Sequence, residues 1–152
     1  MDPNVAKQAV EKGFKFVANT GLELMELKPG YVKCRMPYLG NGNHIGTMYA
    51  GALFTLAEIP GGALFLSSFD ITRYFPIVKS LDLRFVKPAK ADVYVEIALD
   101  AERIQAISAE ADAKGKADFV LDGELKLADG TVVAVSHGVY QLRSSAPSSK
   151  AA

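Results

Sequence analysis

The chain has no tryptophan, one cysteine and two histidines among its 152 residues. A lone cysteine, Cys34, excludes an internal disulfide and suits a reducing, cytoplasmic setting. Cys34 sits on the apolar side of YVKCRM and reads as a small core hydrophobe. So few histidines and cysteines give no metal-ligand spacing, and no metal site is expected. Neither charge is in excess: 17 basic residues balance 17 acidic ones. With no basic field, neither nucleic acid nor an anionic membrane is an expected partner. No phosphate-loop or dinucleotide glycine pattern occurs, and no internal repeat. The N-terminus lacks the basic start and apolar run of a signal peptide.

What is present is apolar material: 49% of the chain is hydrophobic and 22% charged, enough for one domain with a real core. One stretch organises it, Asn43 to Phe69. From Thr47 onward it is apolar or small throughout, and Glu58 is its only charge. Its length permits a bilayer span, but Glu58, Pro60, Gly61 and Gly62 interrupt its middle, and Ser67 and Ser68 lie near its end. A helix greasy on all sides is instead expected inside a wrapping of other elements.

The flanking segments supply that wrapping. Asp2-Pro3 starts a helix predicted over 3–19, with Val5, Ala9, Val10, Phe14 and Val17 on one face. Residues 22–28 and 31–36 read as a hairpin around Pro29-Gly30. DITRYFP, residues 70–76, reads as a connector. Strands are predicted at Ser80–Val86, with Leu81, Leu83 and Phe85 inward, and at Asp92–Leu99. Residues 102–114 have helical spacing, with a continued strand as the competing reading. Residues 117–127 alternate with the clearest period of two, Asp129-Gly130 turns the chain, and 131–143 form a last strand apolar partly on both sides. The tail, 144–152, is small and polar and expected to be disordered. The fold class is therefore α+β: about six antiparallel strands around one buried helix, in a single domain over 1–143. No wrapped sheet of this size hides both edges, so an edge-to-edge homodimer is expected.

Chemistry is expected at the helix start, near Thr47 to Gly51. The first N–H groups of a helix lack intrahelical partners, and the dipole favours negative charge there. Gly51 lets a ligand atom approach the backbone, so its N–H could serve an oxyanion; it could equally just permit close packing. Glu58 follows seven residues later, on the same face and ~10 Å along the axis. That is too far for both to act on one carbonyl carbon, so a catalytic Glu58 implies a site shared between subunits. The competing reading is a glutamate satisfied by its neighbours. Burial is expected to raise its pKa, which suits a base. Pro60 is expected to kink or disturb the helix just after it. Asn43 could orient a carbonyl or a water, and His44 could do acid–base work or simply shape the loop. A triad of Ser136, His137 and Glu58 is disfavoured, because neighbouring strand residues point to opposite faces. Phe54, Phe65, Phe69 and Tyr74 fit plain core better than a pocket lining.

The helix opening resembles that of the hotdog-fold acyl-CoA thioesterases, especially the phenylacetyl-CoA-thioesterase-like branch. In the register of the family pattern Asn-x-x-Gly-Thr-x-His-Gly-Gly, then Leu-Ala-Asp/Glu, this chain reads Asn43, Gly46, Thr47, Tyr49, Ala50, Gly51, Leu56, Ala57 and Glu58. FVKPAKAD, residues 85–92, is similar to a strand-end motif of that family. The resemblance implies a hotdog fold and a thioester substrate, with no cofactor beyond the coenzyme A that the substrate carries. By it, the Gly51 N–H polarises the carbonyl, the partner's Glu58 attacks it or activates water, and Asn43 holds substrate or water. His44, Thr47, Tyr49, Ala50 and Phe54 would contact substrate, and Arg84, Lys87 and Lys90 the phosphates of coenzyme A. It also implies a dimer, or a dimer of dimers. Tyr49-Ala50 replaces the family's His-Gly. This departure leaves a non-catalytic acyl-thioester-binding protein as the alternative, and a hotdog dehydratase, lacking a helix histidine, as a third.

Overall fold

The computed structural model describes residues 1–146. Asp2 accepts from the Asn4 N–H at 2.7 Å and Pro3 opens α1, Pro3–Lys12. The single helix expected over 3–19 is broken. Gly13 ends α1, Phe14 is extended (φ −118°, ψ 129°), and α2 runs Lys15–Thr20. The break resets the helical frame, so a stripe read through it misplaces residues. Ala6, Val10 and Val17 are buried, while Val5 and Phe14 are 56% and 66% exposed.

β1, Glu23–Lys28, and β2, Tyr31–Met36, form the expected hairpin, with Gly30 at φ 78° in its turn. Next comes α3, Ala50–Ser68, helical without interruption through Pro60. β3, Tyr74–Phe85, starts six residues before the expected strand, so only Asp70–Arg73 of the predicted connector connect. Pro76 is tolerated there because β3 is an edge strand, whose outer N–H groups have no ladder partner. β4, Val93–Ala98, leads to α4, Ala101–Lys114, capped by the Asp100 carboxylate on the Arg103 N–H (2.7 Å) and ended by Gly115 at φ 83°. β5, Lys116–Lys126, and β6, Val132–Ser144, complete one antiparallel sheet ordered β1-β2-β4-β5-β6-β3. This is the α+β hotdog architecture. Of the tail expected to be disordered, Ser144 and Ser145 donate to the Gly115 and Arg73 carbonyls at 3.0 and 2.8 Å. Residues 147–152 lie outside the described residues.

By length and composition α3 is apolar enough to cross a membrane, but 56% of its apolar window is buried inside the fold. Leu56 and Leu64 of α3, and Val32, Cys34, Val95 and Leu142 around it, are essentially sealed from solvent.

The two sheet edges are treated differently. On β1, Glu11 of α1 accepts from the Leu24 N–H (2.8 Å) and Lys7 donates to the Leu24 carbonyl (3.0 Å), so side chains occupy the edge. Among the described residues β3 has β6 on one side and no strand on the other. Its register places Leu81, Leu83 and Phe85 opposite Gly138, Ser136 and Ala134, on the helix side as expected. Yet Leu81 and Leu83 are only half-buried and Phe85 is 54% exposed, because the sheet ends there.

Candidate active site

The loop before α3 is built by one side chain. Asn43 Oδ1 accepts from the N–H groups of Ile45 and Thr47, both at 3.0 Å, and Nδ2 donates to Thr47 Oγ1 at 2.8 Å. Its own N–H donates to the Thr47 carbonyl at 2.7 Å. This cage closes a tight turn with Gly46 at φ 78°, a left-handed conformation glycine adopts without strain. Tyr38 Oη ties the turn to the Gly46 carbonyl at 2.8 Å. Asn43 thus spends most of its bonding capacity on the loop and keeps one amide hydrogen free. His44 is exposed on the turn and Thr47 is buried beneath it.

The turn sets the start of α3. The Met48 N–H donates to the Ala89 carbonyl (2.7 Å) and the Tyr49 N–H to the Asn41 carbonyl (2.8 Å). The Tyr49 carbonyl accepts from the N–H groups of Ala52 and Leu53. The N–H groups of Ala50 and Gly51 have no acceptor among the described residues. Two unpartnered amides at the N-terminal end of a 19-residue helix lie where the helix dipole favours negative charge. The Tyr49 ring lies against Gly51: a β-carbon there would stand 2.5 Å from Tyr49 Cε1. Tyr49 is 60% exposed, so this ring is a cover attached on one side only.

One face of α3 is open to solvent. Gly51, Phe54, Glu58 and Gly62 follow one another at helical spacing, and nothing lies within 4 Å of a β-carbon built at Gly62. Glu58 is half-buried on this face, and its carboxylate has no hydrogen-bond partner among the described residues. Burial raises its pKa above the usual glutamate range, favouring the protonated form. Glu58 is ~10 Å along the axis from Gly51, so one chain does not bring them together.

The remaining expected residues divide. Lys87 and Lys90 are exposed on the segment that Ala89 ties to Met48, and so flank the helix start. Arg84 sits on the opposite, outer side of the sheet, and the structure does not bring it to them. It lines a groove of 1350 Å³ with Asp82, Tyr94, Asp122 and His137. A smaller cavity of 360 Å³ lies between α1, β1 and the end of α3. Neither cavity includes Asn43, Gly51 or Glu58. Ser136 turns inward to the Gly123 carbonyl, while His137 Nδ1 faces Asp122 Oδ1 at 2.6 Å in the outer groove. The disfavoured triad is thus not assembled. Phe65, Phe69 and Tyr74 are core, as expected, and Phe54 is exposed beside Glu58.

Sequence reasoning missed Tyr140. Its ring lies under α3 at the level of Glu58, and Oη donates to the Glu58 carbonyl at 3.2 Å. The available signal was a pair of glycines, Gly138 two residues earlier on the same strand face and Gly61 on the helix, which leave room for a ring.

None of the curated proteins matches the chain. Among solved structures, the chain is 54% identical to PA5026 of Pseudomonas aeruginosa, a protein of unknown function named a probable thioesterase, over 95% of this chain and 97% of that one, with a TM-score of 0.92. It is 16% identical to a thioesterase of Staphylococcus aureus, covering 86% of this chain and 99% of that one, with a TM-score of 0.69. It is 13% identical to a second Pseudomonas aeruginosa thioesterase, covering 95% and 96%, with a TM-score of 0.72. These last two are likenesses of fold alone. Residues 4–141 match the family described as a domain of unknown function, DUF4442, and the chain belongs to that family.

Proposed function

We propose that the protein is a thioester hydrolase acting on acyl-CoA, with each active site shared between two copies of the chain. The observation that carries this reading is the open face of α3, which presents two unpartnered amides at one end and an unpartnered, half-buried carboxylate two turns later. The family's 54%-identical relative, named a probable thioesterase, supports it.

The second copy enters through β3. Among the described residues that edge carries no side chain bonded to it as Glu11 and Lys7 are on β1, and it exposes Phe75, Val78, Phe85 and Val86. A twofold pairing of β3 with β3 continues the sheet and covers these residues. Antiparallel packing of the two α3 helices then sets Gly51 of one chain against Glu58 of the other.

In such a site the N–H groups of Gly51 and Ala50 stabilise the oxygen of the thioester carbonyl as it becomes tetrahedral. The partner's Glu58 takes a proton from water, the hydroxide adds to the carbonyl carbon, and the C–S bond breaks. The thiolate of coenzyme A leaves and recovers the proton. Burial of Glu58 suits it to this exchange, because a raised pKa brings the carboxylate closer to its working pH. Asn43 and Thr47 hold the amide-bearing turn in shape, and the remaining Asn43 N–H is left for substrate. Tyr49, Ala50 and Phe54 wall the acyl side, His44 stands at the mouth, and Lys87 and Lys90 face the phosphates of coenzyme A. Arg84 has no place in this site.

A non-catalytic acyl-thioester-binding protein is the second reading. Tyr49-Ala50 in place of the His-Gly of the hotdog acyl-CoA thioesterases favours it, with the Tyr49 ring lying against the Cα side of Gly51 and narrowing the approach to this end of the helix. Thiol release from a panel of acyl-CoA thioesters, with calorimetric binding of the same panel, separates the two. Turnover that Glu58→Gln abolishes supports hydrolysis; tight binding without thiol release by the native chain supports the second reading.

A further inference from the structure

The five most exposed large apolar side chains among the described residues all lie at one end of the molecule. Leu39 is 90% exposed, Phe16 70%, Ile45 69% and Phe14 66%, and Tyr49 comes next. Strand directions place them together. β1 begins where β2 ends, with Glu23 opposite Arg35, and Met36 of β2 stands opposite Val93, where β4 begins. α2 leads into β1 at this end, and the loop from Pro37 leads out of β2 to α3. Asn41 joins the two segments: its Nδ2 donates to the Thr20 carbonyl at the end of α2 (2.7 Å) and to the Pro37 carbonyl (2.8 Å).

Each of these apolar side chains sits where a polar residue would suit the backbone as well. Leu39 occupies the tip of a turn closed by the Asn41 N–H on the Tyr38 carbonyl (3.0 Å), with Gly40 at φ 82°. Ile45 occupies the turn closed by the Gly46 N–H on the Asn43 carbonyl (3.3 Å). Phe14 and Phe16 flank Lys15 at the break between α1 and α2. None of the four lines either cavity described above. Apolar side chains projecting from turn tips suit a soft interfacial layer, which needs no complementary pocket.

The charge at this end has one sign left over. Residues 12–22 and 37–57 contain no acid. The acids around them are engaged elsewhere: Glu11 with Lys7 and the Leu24 N–H, Glu23 and Asp92 with Arg35, while Lys87 offsets Asp129. Lys12 and Lys15 are exposed, and neither has an acidic partner among the described residues. At the opposite end α4 mixes both signs, with Glu102, Arg103, Glu110 and Lys114.

We propose that this end of the molecule docks on an anionic lipid surface: Phe14, Phe16, Leu39 and Ile45 enter the headgroup layer, and Lys12 and Lys15 meet the lipid phosphates. The even overall charge, which spoke against such a partner, conceals this segregation. α3 starts at the same end, so the site faces acyl thioesters held in the bilayer, a consequence that rests on the hydrolytic reading; the docking itself does not.

Co-sedimentation of the full chain with vesicles tests the docking without any substrate. The native protein is expected to bind vesicles of phosphatidylcholine and phosphatidylglycerol, less so as salt is raised, and to leave pure phosphatidylcholine vesicles largely unbound. Lys12→Gln/Lys15→Gln is expected to weaken binding about thirty-fold, or about five-fold for each lysine. Phe14→Ser/Phe16→Ser is expected to weaken it at least as much with the charge unchanged, and Ile71→Ser, at the opposite end, to leave it unchanged. The chain has no tryptophan, so Leu39→Trp supplies a single reporter. Its emission is expected to shift to the blue on anionic vesicles, and that of Ile71→Trp to stay in place. The reporter keeps both phenylalanines and decides the matter even if the serine variant folds poorly. Absence of vesicle binding by the native protein, or equal binding by all the variants, overturns the proposal. Self-association that Phe14→Ser/Phe16→Ser abolishes, with no vesicle bound, also overturns it and assigns this end to a second copy of the chain. Vesicle binding without thiol release defeats the hydrolytic reading alone and leaves the docking standing.

Discussion

Two adjacent helix glycines, Gly61 and Gly62, give a sharp test of how α3 is packed. Replacing glycine by alanine inside a helix normally stabilises by about 0.5–1 kcal/mol, because the unfolded chain loses freedom. At Gly61 the new β-carbon lands 2.3 Å from Tyr140 Cε1, 2.5 Å from Cζ and 2.8 Å from Oη. Carbon atoms do not approach that closely, so something must move by about 1 Å. The ring cannot retreat, because Gly138 and Phe119 hold its other sides, and α3 must lift from the sheet. Overpacking of this kind costs about 1–3 kcal/mol. Set against the helix gain, the net loss for Gly61→Ala centres on about 1 kcal/mol, a fall in Tm of roughly 2–4 °C for a chain of this size. At Gly62 no atom of the same chain lies within 4 Å, so within one chain Gly62→Ala is expected to gain the full helix term. Urea unfolding monitored by circular dichroism measures both. Gly61→Ala at least as stable as the native protein would refute the wedge under α3. A loss at Gly62 would report a second chain seated on the open face.

Other outcomes follow from the same geometry. The pKa of Glu58 is raised by folding, so the unfolded chain releases this proton first as pH rises, and stability falls through that window. Glu58→Gln is therefore expected to be more stable than the native protein at neutral pH, with the difference in Tm vanishing below the ordinary glutamate range; thermal scans across pH check it. Asn43→Ala removes three side-chain bonds from the 43–47 turn and is expected to cost about 1–3 kcal/mol in urea unfolding, with Asn43→Asp recovering part of it by keeping the two Oδ1 contacts. Cys34 is sealed in the core and its thiol is pushed up to about 12 by burial, so it is expected to react with a thiol reagent only on unfolding.

The fold was legible wherever one side chain period ran unbroken. β5 alternates without exception from Lys116 to Leu125, and Asp129-Gly130 punctuates it, so strand and turn were both readable. The continuous apolar run of α3 announced a wrapped helix. The break at Gly13 was not legible, because one glycine within a helical pattern is ordinarily tolerated and the extended Phe14 leaves no mark. The early start of β3 was hidden by Pro76, a residue that usually ends strands and is harmless on an edge. At the candidate site, Gly51 and Glu58 were visible as a glycine and a lone charge in apolar surroundings. The bonding of Asn43 was not, because an asparagine before a helix reads equally as loop builder or ligand. Tyr140 was invisible for another reason: its place beside Glu58 joins residues 82 positions apart, through a register that periodicity does not reveal.

The shared site is tested most directly by mixing two inactive chains. Glu58→Gln retains the Gly51 amide, and Gly51→Val, whose branched side chain fills the space before the amides, retains Glu58. If each site draws its amides from one copy and its acid from the other, a mixed dimer contains one intact site. Random re-association of equal amounts should then restore about a quarter of native thiol-release activity, half the dimers being mixed and each holding one working site of two. Activity that stays at the level of the separate variants, with mixed dimers shown to form, would contradict a site built across two chains.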